Sequence, residues 1–68
     1  MVNVDEYIGL VVIVELDTTE KLEGLLEKIE DEEITDCYKV RNGSEAWIVP
    51  RHTIARVTPI PVHGFRLS

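Results

Sequence analysis

Sixty-eight residues with thirteen acidic side chains against seven lysines and arginines give a net charge of −6, with 44% hydrophobic content and one cysteine. A chain this short makes one domain, buries only about 60% of the surface its unfolded form exposes, and usually needs disulfides, a metal or association with its own copies to gain a margin of stability. Cys37 has no partner for an internal disulfide, so homo-oligomerisation is the expected remedy.

No stretch approaches the roughly 20 apolar residues of a membrane span, and the start, MVNVDEY, lacks the basic and apolar regions of a signal peptide. The sequence therefore predicts a cytoplasmic protein with no membrane contact. Charge is unevenly placed: residues 1–36 hold twelve of the acidic side chains against Lys21 and Lys28, whereas residues 37–68 hold Lys39, Arg41, Arg51, Arg56 and Arg66 against Glu45 alone. The total argues against a general affinity for nucleic acid, because neutralising phosphates supplies most non-specific binding. The asymmetry between the halves is compatible with a basic binding face.

In chain order, YIGLVVIVEL, 7 to 16, is rich in β-branched residues and predicts a first strand. The next segment, LDTTEKLEGLLEKIEDEE, carries two signals. Leu22, Leu25, Leu26 and Ile29 recur at helical spacing, and Asp17 with Glu20 has the form of a capping box. Against a helix stand Gly24, which costs about 1 kcal/mol relative to alanine in a helix interior, and the alternation Leu22, Gly24, Leu26 of a bent strand. Pattern alone leaves both open.

ITDCYKV, 34 to 40, alternates as a strand does, and RNGS follows as a turn, since asparagine and glycine tolerate positive φ. AWIVP and TIARVTPIP give two further short strands separated by Arg51 and His52, with Pro50 at a strand end or sheet edge because it lacks an N–H. The tail from about 61 has no period and is expected to be loosely held. The whole chain, 1–68, reads as one domain.

Two blocks resemble the Sm-like (Lsm/Hfq-like) family. VELDTTEKLEG, 14 to 24, is similar to its first strand, turn and second strand, with Val14, Leu16, Leu22 and Gly24 at the apolar and glycine positions. RHTIARVTP, 51 to 59, resembles the segment in which a basic residue and a histidine precede a strand of form I-x-x-I/V-x-P. With the intervening material the likeness covers residues 8 to 60. It departs at the N-terminal helix, for which only VNVDEY is available, and after Gly24, where Glu30 to Glu33 stand in place of an aspartate, an aromatic or methionine, and an asparagine.

The resemblance implies a mostly β fold, a small five-stranded, strongly bent, partly open SH3-like/Sm-like barrel. It also implies a closed homo-oligomeric ring made by pairing the strand at 45 to 50 of one copy with that at 53 to 58 of the next, with Trp47, Ile48, Val49, Ile54 and Val57 at the interface. A single-stranded RNA site follows from the same likeness, with Arg51 and His52 contacting phosphate and base and Glu30 at the position of the family's loop residue. The helical alternative for 18–32 gives an α+β domain instead. EKLEGLLEKIEDEEITDCYKVRNG resembles the helix and second strand of ferredoxin-like ligand-sensing domains such as those of Lrp/AsnC regulators, although the chain ends before that fold's second helix and fourth strand.

Catalysis finds little footing. His52 and His63 are the candidate bases and Ser44 and Cys37 the candidate nucleophiles, but they form no triad spacing. Cys37, His52 and His63 are too far apart in sequence for a paired metal-ligand motif. Cys37 reads as a small core residue and Trp47 as core, interface or stacking platform. The sequence thus predicts a non-catalytic protein without cofactor or metal. Its ligand is either single-stranded RNA or, for an acidic ring acting as an assembly module, basic protein partners.

Overall fold

The computed structural model describes residues 3–60. A 3-10 helix at Val4–Tyr7 precedes five strands, β1 Val11–Leu16, β2 Lys21–Lys28, β3 Cys37–Asn42, β4 Glu45–Pro50 and β5 Ile54–Pro59. A second 3-10 helix, Arg51–Thr53, joins the last two. All pairings are antiparallel and the sheet order is β4-β3-β2-β1-β5. The fold is therefore mostly β, as expected, and the sheet does not close, since β4 and β5 are its two ends.

The core explains why the sheet bends. Val12 and Val14 of β1, Leu26 of β2, Tyr38 and Val40 of β3, Val49 of β4 and Val57 of β5 form one buried cluster with Val4 from the first 3-10 helix. A flat five-stranded sheet cannot bring residues from its opposite ends into one cluster, so the strands curl around it and Val4 plugs one end. The alternation that produces this core is clean from Val11 to Val14 of β1 and from Cys37 to Val40 of β3, where every second residue is buried.

Residues 18–32 do not form a helix: Lys21–Lys28 is β2, which overturns the α+β alternative and its ferredoxin-like likeness. Gly24 supplies the physical reason. A Cβ built there would collide with the carbonyl oxygen of Arg41 and lie 2.8 Å from its carbonyl carbon and 3.2 Å from Val40 Cγ1. Only a residue without a side chain lets β2 pass that close to β3. The apolar residues at helical spacing divide between faces, with Leu26 inside and Leu25 opposite Val11 on the outer face.

Several strand boundaries differ from expectation. β1 begins at Val11 rather than 7, because Tyr7 closes the 3-10 helix and Gly9, at φ 92°, turns the chain before the ladder starts. β3 begins at Cys37 rather than 34. Ile34 N–H bonds the Asp31 carbonyl at 3.0 Å to close a turn, and Asp36 at φ 58° kinks the chain into the strand. At its other end β3 runs through Arg41 and Asn42 to a two-residue turn, Gly43-Ser44, with Gly43 at φ 64° as such hairpins require. The tail from 61 lies outside the described residues.

Among the described residues the outer edges of β4 and β5 pair with no further strand, and these edges have a definite chemistry. A two-residue turn makes Asn42 and Glu45 a hydrogen-bonded pair, so Trp47 and Val49 also bond β3, while the backbone groups of Ala46, Ile48 and Pro50 face away from the sheet. On the opposite edge the Ile60 N–H bonds the Val11 carbonyl at 2.8 Å. By alternation Thr58 and Arg56 bond β1, and Val57 and Pro59 face outward. Both prolines thus occupy positions whose missing N–H costs the sheet nothing.

Replacing Gly24 with alanine is expected to cost about 2–3 kcal/mol through backbone displacement. Urea denaturation followed by Trp47 fluorescence measures it. A midpoint equal to that of the unaltered protein would remove Gly24 as the cause of the bend.

Candidate nucleic-acid interface

Arg51 and His52 begin the 3-10 helix between β4 and β5, and both are exposed. This turn is held from three sides. The Arg51 N–H bonds the Asp36 carbonyl at 2.7 Å and the Asp17 N–H bonds the Thr53 carbonyl at 2.8 Å, while the Thr53 hydroxyl donates to the Pro50 carbonyl at 2.7 Å. The first bond ties the β4–β5 connection to the β2–β3 loop, so Arg51 is presented from an anchored backbone. Asp36 adopts its left-handed φ at that contact, which aspartate tolerates better than most residues.

Between these two connections lies a cleft of about 260 Å³, lined by Asp5, Lys28, Asp36, Cys37, Tyr38 and Arg51 among others. Lys28 and Arg51 are its cations. Tyr38 forms its inner wall, only 5% exposed, and its hydroxyl donates to Asp5 Oδ1 of the first 3-10 helix at 2.5 Å. Burial pushes the Tyr38 phenol up to about 12. The hydrogen bond to Asp5 and the charge of Asp5 act in the same direction, and Arg51 acts against them. The guanidinium of Arg51 therefore faces a pocket that also holds the carboxylates of Asp5 and Asp36.

The other residues singled out from sequence separate into distinct environments. Glu30 is exposed on the β2–β3 loop, in line with Asp31, Glu32 and Glu33, and does not line the cleft. Cys37 is half-buried in the cleft wall and not a core residue, because the sheet's outer face carries the odd-numbered positions of β3. Trp47 is half-buried against the core. Val49 and Val57 are inside it, Ile54 packs on its margin, and Ile48 is 53% exposed.

Trp47 and Ile48 border a second, larger cleft of about 380 Å³. Leu16, Leu22 and Val49 contribute apolar wall, and Asp17 and Glu20 of the β1–β2 turn contribute acidic rim.

The remaining cations of the second half are spread over the outer face. Arg41 bonds Glu27, with its Nη2 3.0 Å from Oε1, Lys39 stands opposite Glu27 on the neighbouring strand, and Arg56 stands opposite Glu15. The positive excess of residues 37–60 is thus partly offset, and Arg51 and His52 stand apart from it. Sequence reasoning missed Lys28, Asp5 and Tyr38 as cleft residues. The inward phase of Tyr38 was readable from the alternation, but its bond to Asp5 spans 33 positions and has no local signal.

Among the described residues no set of three or more histidine, cysteine or acidic side chains is arranged to hold a metal ion. Nor is any helix long and apolar enough to cross a membrane. Comparison of the chain with protein-family models, curated proteins and solved structures returns no match. The class that the fold defines is a small, mostly β domain on one strongly bent, partly open five-stranded sheet.

The Tyr38 phenol gives a pH prediction. Its folded pKa, about 12, lies above the ordinary 10.0, so the folded state holds this proton more tightly. The associated stability is fully present below pH 10 and is lost as pH rises from 10 towards 12. Urea midpoints across this range should fall more steeply for the unaltered protein than for Tyr38→Phe, which should also lose about 1 kcal/mol at neutral pH with the Asp5 hydrogen bond. Equal alkaline slopes would contradict the assignment.

Proposed function

We propose that this chain is a non-catalytic, cytoplasmic, Sm-like protein that assembles into a closed homo-oligomeric ring and binds single-stranded RNA through Arg51 and His52. The observation that carries the reading is the bond from the Arg51 N–H to the Asp36 carbonyl, 2.7 Å, which makes the two connections beside the cleft a single surface holding Lys28 and Arg51. Arginine suits phosphate because its planar fork donates two parallel hydrogen bonds. Histidine beside it offers a ring for a base to stack on and an N–H to donate.

Assembly is supported by the two strand edges that are unpaired among the described residues, which a small protein must either cover or use. Head-to-tail pairing of β4 with β5 of a second copy generates a ring when the rotation closes. It would repeat Arg51 and His52 around one rim, so that weak contacts from each subunit add on one strand of RNA. In this reading no residue acts as a catalyst, because Arg51, His52 and Lys28 have roles in binding alone.

A second reading rests on a specific observation. Asp5 and Asp36 flank Arg51, and Glu30, Asp31, Glu32 and Glu33 are all exposed on the adjoining loop. The same ring would then present an acidic rim to basic protein partners, and Arg51 would serve as a local counter-charge.

A titration of a short uridine-rich RNA by fluorescence anisotropy separates the two. RNA binding predicts measurable affinity at low salt, with log K falling against log salt by about 0.7 per phosphate engaged. Arg51→Glu with His52→Ala should abolish it. Equal binding by both proteins, or none by the unaltered protein at low salt, would leave the acidic-ring reading. Independently, Val57→Asp should lower stability by about 3 kcal/mol or more, because a charge replaces a residue only 7% exposed, and should lower association with it. A stable, fully associated Val57→Asp variant would contradict the edge role of β5.

A further inference from the structure

The geometry points to a particular register for the contact between copies, in which Arg56 of one copy enters the Trp47 cleft of the next and Ile48 covers the neighbour's open core. The inference rests on the assembly reading above and goes beyond it by naming what each edge residue meets.

β5 offers few groups to a partner. Pro59 has no N–H, and the Ile54 N–H is already bonded to the Arg51 carbonyl at the end of the 3-10 helix. Ala55 is the extra residue of the bulge opposite Glu15 and Leu16. Among the described residues Val57 is therefore the position on this edge with a directed donor and acceptor both free. On β4 the positions that face outward with both groups are Ala46 and Ile48, since Pro50 lacks the donor. In an antiparallel contact Val57 must stand opposite one of these two.

Side chains choose between them. With Val57 opposite Ile48, the charged Arg56 falls opposite Val49, which is 3% exposed in the core of the other copy. With Val57 opposite Ala46, Arg56 falls opposite Trp47, at the close spacing of a non-hydrogen-bonded pair. There a guanidinium meets an indole face in a cleft of about 380 Å³ whose rim carries Asp17 and Glu20. Within its own chain Arg56 lies opposite Glu15, and among the described residues the single ion pair is Arg41–Glu27. Charge complementarity selects the Ala46 register, and it commits the cleft to one occupant, a second copy of this chain.

The same parity accounts for Ile48. On β4 the outward-bonding residues, Ala46 and Ile48, have side chains on the sheet's outer face, whereas on β5 the outward-bonding Val57 has its side chain in the core. Residues directly opposite in a ladder share a face. The contact therefore joins the outer face of one copy to the inner face of the next, and sets Ile48, 53% exposed in the single chain, diagonal to the neighbour's Val57, across the gap that the unclosed sheet leaves.

The test is disulfide trapping in a Cys37→Ser background with Thr58→Cys as the common partner. Glu45→Cys with Thr58→Cys samples the Ala46 register, and Trp47→Cys with Thr58→Cys samples the Ile48 register. Mild oxidation should give a ladder of covalent multimers on a non-reducing gel for the first pair and mostly monomer for the second. A ladder from the second pair alone overturns this register while leaving the assembly reading intact, and so does a non-covalent oligomer that neither pair traps. Monomer throughout, by sedimentation as well as gel, sinks both.

Two further variants probe the side chains with all other cysteine chemistry absent. Arg56→Ala should weaken association roughly fivefold and Arg56→Glu at least about tenfold. Ile48→Glu should abolish it with the unfolding midpoint of the separated chain unchanged, because that side chain supports no contact within the monomer core. Association unaffected by Ile48→Glu or by Arg56→Glu would overturn the register, as would a monomer whose Trp47 emission responds instead to an arginine-rich peptide.

Discussion

The approach of Gly24 to the Arg41 carbonyl is the constraint from which the rest of this structure follows. It lets β2 lie close against β3 without a side chain between them, and that close approach allows five short strands to curl around eight buried residues. The curl has a further consequence. A sheet that bends this strongly with only five strands brings its first and last members round the same core without joining them, so the described residues form a covered interior and leave two open edges. Those edges carry the proposed assembly, and the connection between them, Arg51–Thr53, carries the candidate ligand site. One missing side chain thus governs both the core and the surface proposed for function.

How much of this the sequence disclosed depended on the range of the interaction responsible. The β-branched run of β1, the Gly43-Ser44 turn and the edge position of Pro50 rest on local rules, and they were legible. The helix-or-strand question at 21–28 was not, because its answer depends on an atom of Arg41 seventeen positions away and not on the periodicity of Leu22, Leu25, Leu26 and Ile29. The start of β1 was misjudged for a related reason: Tyr7 and Ile8 have good strand propensity, but Val4 must reach the core end, and Gly9 provides the turn that sends it there. At the candidate site, Arg51 and His52 stood out through their resemblance to the basic residue and histidine that precede the last strand in the Sm-like family. Lys28, Asp5 and Tyr38 meet them only through tertiary folding.

Electrostatics decides what the site is suited to bind. The positive character of the second half is real in sequence but dilute in space, since Arg41 is held by Glu27 and both Lys39 and Arg56 lie opposite carboxylates on adjoining strands. What remains directed towards solvent at the β4–β5 connection is Arg51 with His52, bounded by Asp5 and Asp36. Among the described residues a single copy therefore offers few uncompensated cations, and the proposed RNA binding would depend on repetition of the site. Ligand and assembly are coupled in this account: without several copies around one rim, the charge balance favours repulsion of phosphate.

The most direct measurement of that dependence is the mass of the unaltered protein by sedimentation equilibrium, from nanomolar to high micromolar concentration at physiological salt. Head-to-tail pairing that closes on itself predicts one discrete oligomer of fixed mass at the upper end, dissociating cooperatively to the 7.8 kDa chain on dilution. A monomer at every concentration would show that the two edges do not meet, and a mass that climbs without limit would show that they meet without closing.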